Sequence, residues 1–542
     1  MSEAALSNPW WKQAVIYQVY PRSFADSNGD GLGDLKGILA HLDYLNDGTP
    51  DSLGVDAIWL SPVFASPAYD LGYDVSDYCE VDPVFGNLAD LDLLIREAHR
   101  RDLRVILDLP VNHTSHLHPW FQESRASRRS PKRDWYLWRD PRPGGGPPNG
   151  WQSVFGGRAW TWDGATRQFY YHMFLPEQPD LNWRNPRVRQ EIDEVMHFWL
   201  GRGIDGFRLD VANAYFKDDQ LRDNPPRCGL RAYDRQRHIY DADRPELLSV
   251  YAEMRQRMDA YSDRLLVGEP LLGDLDKVQR YCGEGLLHLV FDFDLIPCRW
   301  NPLAFQQAVV ACEQALGPRG WPCYALNNHD VPRLVSRYPG RHARQKAKIA
   351  AALLLSLRGT PFLYQGEEIG MRDGRVPRGQ MLDPAGKRYW PLYLGRDPVR
   401  TPLPWQDGPG AGFTRGRPWL PINSDFRTVN IASESLDPDS ILSFYRSWIW
   451  YRRHSKALRT GSFRSLIKNP RSGLAYLREA GAEVVLVALN FQGCPAQLVL
   501  DEDPPNLPWK WRLGTHPGAP GQLVGRRISL EPYEARLLEA LR

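Results

Sequence analysis

Eight short apolar runs, separated by amphipathic segments, constrain this chain more than any other feature. They are AVIYQVYP from Ala14, AIWLSP from Ala57, LRVILDLP from Leu103, GFRLDV from Gly206, LLVGEP from Leu265, LHLVFDF from Leu287, YALNNHD from Tyr324 and TPFLYQGEE from Thr360. Each is too short for a helix, most are rich in β-branched or aromatic residues, and each ends on polar or charged side chains. Between most of them the apolar residues recur at helical spacing. Examples are LADLDLLIREAHRRD and VRQEIDEVMHFWLGRG, the second entered after Asn185-Pro186 and left at Gly203. Eight β–α alternations predict an α/β fold, a (β/α)8 TIM barrel rather than an open sheet. In such a barrel chemistry gathers at the C-terminal ends of the strands, where the polar residues of these runs lie.

Two stretches interrupt the alternation. From Val111 to Trp183 the chain is loop-like, with RPGGGPPNG and short alternating pieces such as RAWTWDG and RQFYYHMF. That is too long for a plain connection and reads as an inserted subdomain after the third strand. Residues 370–425 are again rich in Gly and Pro without a strong period. ILSFYRSWIWYRRHSKAL then reads as a closing helix, and from residue 459 short strands such as AEVVLVALNF and ARLLEAL predict a C-terminal antiparallel β-sandwich. The expected division is therefore barrel (1–110), subdomain (111–183), barrel (184–458) and sandwich (459–542).

Composition excludes several classes. A net charge of +2 across 542 residues supplies no single-sign field for nucleic acid. The longest apolar run, near Ile349 to Leu357, is half the length of a membrane span. Seven cysteines without a CxxC pair read as scattered buried thiols in a reducing compartment. With no basic, apolar leader in MSEAALSNPWW, the expected location is cytoplasmic. Tryptophan is abundant, at 20 copies, and its flat faces suit stacking on sugar rings as well as core packing.

The polar strand ends carry the chemistry. Asp108 closes the third run and is followed by Asn112-His113. The fourth run carries Arg208 and Asp210, the fifth Glu269, and the seventh Asn328, His329 and Asp330. Carboxylates from three strands converging on one mouth raise one another's pKa, a cost accepted at functional sites. Paired carboxyls, one kept protonated, are the machinery of glycosidic bond cleavage.

These residues sit in motifs that resemble the α-amylase superfamily (glycoside hydrolase family 13), in its α-glucosidase and oligo-1,6-glucosidase branch. The motifs are DLPVNH (108–113), QPDLNW (178–183), GFRLDVAN (206–213), VGEP (267–270) and NNHD (327–330). WWKQAVIYQVYPRSF, GYDVSDY and RTPLPW extend the match over nearly the whole chain. The resemblance implies Asp210 as nucleophile, Glu269 as acid/base and Asp330 as the third carboxylate gripping the distorted sugar. Arg208, two residues before Asp210 and on the same strand face, is expected to keep that carboxylate ionised. Glu269 is expected in the drier setting, which raises an acid's pKa. His113 and His329 match residues that bind hydroxyls of the reacting sugar, and Tyr73 matches the ring stacked beneath it. Asp74 and Arg400 match a pair that closes the pocket around the non-reducing end. The implied activity is retaining, exo-acting release of glucose from small α-glucosides through a covalent glucosyl intermediate, with transglucosylation open. The alternatives are an oligo-1,6-glucosidase or a sucrose-active isomerase or transglucosidase. No organic cofactor, nucleic acid or membrane enters this reading.

A second site is expected at Asp26, Asn28, Asp30, Leu32 and Asp34. Oxygen donors alternate there, Gly31 permits a sharp turn, and Leu32 offers its carbonyl, as in the first part of a calcium loop. The alternative is an Asx-rich turn without an ion, since Gly37 stands where a helix–loop–helix site has its acidic twelfth residue. The resemblance implies one structural Ca2+, or Mg2+ in its place. Linkage stays open. Val211 resembles α-1,6-preferring enzymes, whereas FKDDQLRDNPP (216–226) resembles relatives that act on α-1,4 bonds and transfer glucose, and the insertion LNDGTPDSLG also departs from the simplest oligo-1,6-glucosidases.

Overall fold

A side-chain period of two explains how these strands build both a core and a site. The computed structural model of the protein describes residues 9–271, 275–317, 320–516 and 525–541. Eight parallel strands form one sheet: β1 (Ile16–Val19), β2 (Ala57–Leu60), β3 (Arg104–Leu109), β4 (Gly206–Leu209), β5 (Leu265–Gly268), β6 (Leu289–Val290), β7 (Cys323–Ala325) and β8 (Thr360–Tyr364). Their order is β6-β5-β4-β3-β2-β1-β8-β7. A parallel bridge from Asp292, just past β6, to Tyr324 of β7 closes the ring. Each of the eight apolar runs becomes a strand, and β6 is the shortest because only Leu289 and Val290 pair regularly with β5.

Alternate residues of the strands separate into two cores. Ile16, Trp59, Ile106, Leu265, Val267, Leu289, Phe291, Cys323, Ala325 and Phe362 fill the barrel interior. Tyr17, Val19, Ile58, Leu60, Val105, Leu107, Phe207, Leu209 and Leu266 face the surrounding helices. Those helices start where the sequence caps them. Asn87 and Asp90 make a reciprocal capping box for Leu88–His99, and Asn185 caps Pro186–Gly201 with Pro at its first position.

Between β3 and β4 lie a helix, Pro119–Ala126, and a three-stranded antiparallel sheet with Gln168–Tyr171 flanked by Trp138–Arg139 and Trp160–Asp163. At the C-terminus a five-stranded antiparallel sheet packs one face on a two-stranded ribbon, Ala496–Val499 with Arg527–Leu530. Its other face packs on the barrel. Leu477, Leu486 and Ala488 belong to the sandwich core, whereas Tyr476, Val485, Val487 and Leu489 join the barrel's outer core. The segment read as one closing helix is two, Ile441–His454 and Lys456–Thr460, because Ser455 turns extended and caps the second.

The cysteines correct one expectation. Only Cys312 and Cys323 are buried, Cys228 and Cys494 are exposed, and all seven are unpaired thiols. Cys228 lies in the long loop after β4 and Cys494 in a turn between strands, positions outside both cores. Among the described residues no helix is long and apolar enough to cross a membrane.

Candidate active site

The strand period that puts Ile106 inside the barrel also turns Asp108 inward, and in β4 it turns Arg208 inward between Phe207 and Leu209. The two are register partners across the β3–β4 pair. Arg208 is completely buried, and one of its nitrogens, Nη1, lies 2.7 Å from Asp108 and 2.8 Å from Asp210. Its Nη2 lies 2.5 Å from Glu269, which continues the inward parity of Val267 just past β5. One guanidinium thus faces three carboxyls. Full ionisation would leave surplus negative charge in a dry site, so protons are retained there. Burial, reinforced by Asp108, Glu269 and Asp330, pushes Asp210 well above the ordinary carboxylate range; Arg208 opposes the rise without cancelling it, contrary to the expectation that it keeps this carboxylate ionised. Burial likewise raises Glu269, again opposed by Arg208. The sequence led us to expect Glu269 in the drier setting, and the structure corrects this: its side chain is 13% exposed against 12% for Asp210, because both edge the same opening.

Asp330 sits across the mouth in a different field. Burial would raise it, but His329, Arg396 and Arg400 outweigh that and hold it well below the usual range. Arg400 Nη2 approaches it to 2.6 Å and Arg396 to 3.5 Å. Burial, only partly offset by Asp330, keeps His329 itself far below its ordinary value. At neutral pH the two guanidiniums therefore carry the positive charge.

His329 and Tyr73 form a rigid base for the site. Their rings stack at 5.5 Å with an interplanar angle of 1°. Gln18 Nε2 lies 2.7 Å from His329 Nδ1, and an amide nitrogen can only donate, so Nδ1 accepts and Nε2 carries the proton. Nε2–H points to the Tyr73 hydroxyl at 2.7 Å, and that hydroxyl donates to Asp108 at 3.1 Å. His113 is buried beside it, with Nε2 at 3.2 Å from the Tyr73 carbonyl and its ring against Phe174. The structure thus gathers Asp210, Glu269, Asp330, Arg208, Tyr73, His113, His329 and Arg400 at one barrel end.

Asp74 and Arg400 do not make the expected closing pair. Asp74 is buried as a loop brace, accepting from Ser66 Oγ and from the amides of Tyr69 and Asp70, and burial raises it to about 6. Arg400 is turned to Asp330 and to the His329 carbonyl. The pair spanning this gap is Asp70 with Arg396, at 2.6 Å, and Arg396 also binds Asp383 at 2.6 Å. Asp70 lies four residues before Asp74, and Arg396 four before Arg400, so both fall just outside the motifs GYDVSDY and RTPLPW. Sequence reading also missed the buried pair of Lys217 and Asp180, at 2.5 Å, which ties the loop after β4 to the inserted segment. QPDLNW and FKDDQ contain both partners, but nothing in either string shows that they meet.

The loops bearing the two inward acids are joined. Ala212 N donates to the Glu269 carbonyl at 2.8 Å, and Leu271 N donates to Asn213 Oδ1 at 2.8 Å. Between them Val211 adopts φ 45°, a left-handed conformation costly for a β-branched residue, and its side chain packs with Phe174, Ala214 and Ala385.

The Asp26–Asp34 loop lies apart from this mouth and is built of Asx turns. Asp26 accepts from the amides of Asn28, Gly29 and Gly31 and from Thr414 Oγ1, Asn28 from Asp30 N, and Asp30 from Leu32 N. Asp34 accepts from Ser27 and caps the following helix through Gly37 N. Asp26, Asn28, Asp30 and Asp34 are therefore all already engaged as acceptors, Asp30 also from Asn28 Nδ2, so an ion here would share its oxygens with these turns.

Residues 18–461 match the family described as alpha amylase, catalytic domain. A probable alpha-glucosidase of Rhizobium meliloti (strain 1021) is 44% identical over 499 residues, 89% of each chain. An oligo-1,6-glucosidase of Parageobacillus thermoglucosidasius is 39% identical over 522 residues, 89% of this chain and 90% of its own. Among solved structures, the alpha-glucosyl transfer enzyme XgtA superimposes with a TM-score of 0.91 at 42% identity, covering 99% of this chain and 100% of that one. The trehalulose synthase MutB from Pseudomonas mesoacidophila MX-45 gives 0.88 at 35% identity over 99% and 100%. Likeness of that extent, running through the barrel and the mouth it carries, makes this chain a member of the α-amylase family and a glycoside hydrolase of its α-glucosidase group.

Proposed function

We propose that the protein is a retaining, exo-acting α-glucosidase that releases terminal glucose from small α-glucosides and also transfers it to other hydroxyls. The observation that carries this is Arg208, one guanidinium holding Asp210 and Glu269 on separate nitrogens. Asp210 attacks the anomeric carbon while Glu269 gives its proton to the leaving oxygen, forming a glucosyl ester on Asp210. Glu269 then takes a proton from water, or from an acceptor hydroxyl, which attacks the same carbon and frees Asp210. Asp330, held ionised by Arg400 and Arg396, grips the hydroxyls of the distorted ring. The Asp70–Arg396 pair supports exo action because it walls the mouth beyond Asp330. Seven unpaired thiols support a cytoplasmic setting.

Asp210→Asn is expected to lower hydrolysis of p-nitrophenyl α-glucoside by roughly 10⁴-fold, and proton NMR of early product is expected to show α-glucose. Near-normal activity in the folded variant, or β-glucose first, would sink the reading. A second reading, an oligo-1,6-glucosidase, is favoured by Val211 beside the nucleophile. Its test is the ratio of kcat/KM on isomaltose to that on maltose, with sucrose, trehalose and kojibiose as further substrates and chromatography to reveal transfer products.

We also propose that the Asp26–Asp34 loop holds one structural Ca2+ or Mg2+, supported by the alternate oxygen donors and the Leu32 carbonyl. Atomic emission of purified protein should then find one divalent ion per chain, and a chelator should lower the Tm. An ion-free protein with an unchanged Tm would refute this.

A further inference from the structure

Gln18 is a buried amide that the glucosidase chemistry does not use. It stands in β1 between Tyr17 and Val19, which face the surrounding helices, so strand alternation turns it into the barrel beside its register partner Trp59. It is 1% exposed, and a buried amide has to find partners for its hydrogens. Both hydrogens of Nε2 have one: Ser61 Oγ accepts at 3.2 Å and His329 Nδ1 at 2.7 Å. With Nδ1 an acceptor, the neutral ring carries its proton on Nε2, facing the Tyr73 hydroxyl at 2.7 Å and Asp330 at 3.4 Å.

The direction set at Gln18 is passed on. Tyr73 accepts from His329, so its own hydrogen goes to Asp108 Oδ2 at 3.1 Å. Trp59 Nε1 donates to the same oxygen at 3.2 Å, and Arg208 Nη1 donates to Oδ1 at 2.7 Å. Asp108 thus meets three donors and has no acceptor for a proton of its own. The protons retained by these carboxyls are therefore left to Asp210 and Glu269, where the reaction needs one. His329 is closely packed: Tyr20 lies 5.9 Å from its ring centre and Trp59 6.1 Å, and Asp330, Arg400, Arg208 and Arg396 are the charged groups around it. Among the described residues only the Gln18 amide reaches Nδ1.

We propose that Gln18 is a positioning residue that acts through His329, fixing the Nε2–H tautomer and with it the hydrogen-bond direction that keeps a proton off Asp108. This rests on the glucosidase reading and says how that same site places its proton. Reversal would put the imidazole proton on Nδ1 and turn the Tyr73 hydroxyl to Nε2. The retained proton would pass from the Asp210–Glu269 pair to Asp108, which would then donate to Tyr73, with the number of protons unchanged. Burial is the first cause that raises Asp210 and Glu269, and an ionised Asp108 adds to it against Arg208. A neutral Asp108 would withdraw that push, so Arg208 would ionise the acid Glu269 at lower pH.

The test replaces the amide by a group of the same shape that titrates. In Gln18→Glu, while the introduced carboxyl and Nδ1 share a proton, Nε2–H is kept. When that proton leaves as pH rises, the carboxylate accepts from Nδ1–H and the chain reverses. Its kcat for p-nitrophenyl α-glucoside is expected within threefold of wild type at the acid end of the pH–rate profile and at least tenfold below it at the alkaline end, with the alkaline limb moved to lower pH. Long-range 1H–15N NMR of histidine-labelled protein, with His329→Gln to assign the signal, reads the tautomer directly. It is expected to show a protonated Nε2 and a bare Nδ1 in the wild type, a protonated Nδ1 in Gln18→Glu at the alkaline end, and both tautomers in Gln18→Met. A wild-type proton on Nδ1 would overturn the inference, and so would a loss of kcat spread evenly over pH with the tautomer unchanged, as a merely structural role predicts. A wild type that does not turn over the glucoside would refute the glucosidase reading instead, and its tautomer, read without turnover or variant, still decides the role of Gln18.

Discussion

Arg208 is the residue on which the chemistry turns, because it supplies one positive charge to Asp108, Asp210 and Glu269 from a fully buried position. Lysine carries the same charge on a single nitrogen and cannot reach across this spread. Arg208→Lys should therefore lower kcat/KM for p-nitrophenyl α-glucoside by about 10²–10⁴-fold. Arg208 pulls both Asp210 and Glu269 downward, so losing its fork should move both limbs of the pH–rate profile to higher pH. Activity within tenfold of wild type with an unmoved profile would contradict the bridging role. Arg208 and Asp210 were legible in the sequence because RLD sits in a strand, where alternation alone fixes which side chains face inward. Asp70 and Arg396 were not. They lie 326 residues apart in two loops that have no period to project, so only the folded chain shows that they meet.

Among the elements, the strands were read closely because each apolar run ends on charge, whereas the loops after them were read only as motifs. The turn after β8 shows what such reading leaves out. Glu367 and Glu368, from the end of the eighth run, are buried side by side. Glu368 accepts from Tyr17 and Tyr44, and Glu367 from Tyr445 of the closing helix at 2.8 Å. Burial is the first cause that raises Glu367, with Glu368 adding to it against the Tyr445 hydrogen bond, and the result is about 7 against an ordinary 4.5. The folded chain therefore binds more protons there than the unfolded one between those values. Its contribution to stability is greatest below pH 4.5 and is lost as pH rises to 7. Glu367→Gln keeps an acceptor for Tyr445 and removes the titration. The variant's stability relative to wild type should rise between pH 4.5 and 7, by at most roughly 3 kcal/mol, and level off above. Denaturant melts at several pH values would measure it, and a pH-independent difference would exclude Glu367 as the titrating group.

Across the whole molecule, the barrel and the C-terminal sheet are welded by two arginines that no motif announces. Arg452 lies in the closing helix and Arg478 in the sandwich strand Gly473–Ala480, and both are completely buried. Neither has a carboxylate partner among the described residues. Instead they donate to backbone carbonyls, four of them where the helix Ala343–Ser356 ends before β8 and two, Gly461 and Ser462, just after the helix Lys456–Thr460. Arg452 reaches Leu355, Leu357 and Gly359, and Arg478 reaches Ser356, Ser462 and Gly461. The last carbonyls of a helix lack intrahelical donors and carry partial negative charge, so a buried cation there satisfies both deficits. Burial draws Arg452 down to about 10 and Arg478 to about 9, and both stay charged at neutral pH. Arg478→Met keeps much of the packing and orphans three carbonyls, which should cost about 3 kcal/mol. This seam lies where the chain enters β8, whereas Asp210, Glu269 and Asp330 lie where strands end, at the opposite face of the barrel. The variant should therefore melt at lower temperature with kcat/KM for p-nitrophenyl α-glucoside within twofold of wild type. An unchanged Tm would show that the carbonyls find other donors, and a parallel loss of activity would show that the seam reaches the mouth. The expected separation of the two readouts follows from the barrel itself, which holds its fold at one end and its chemistry at the other.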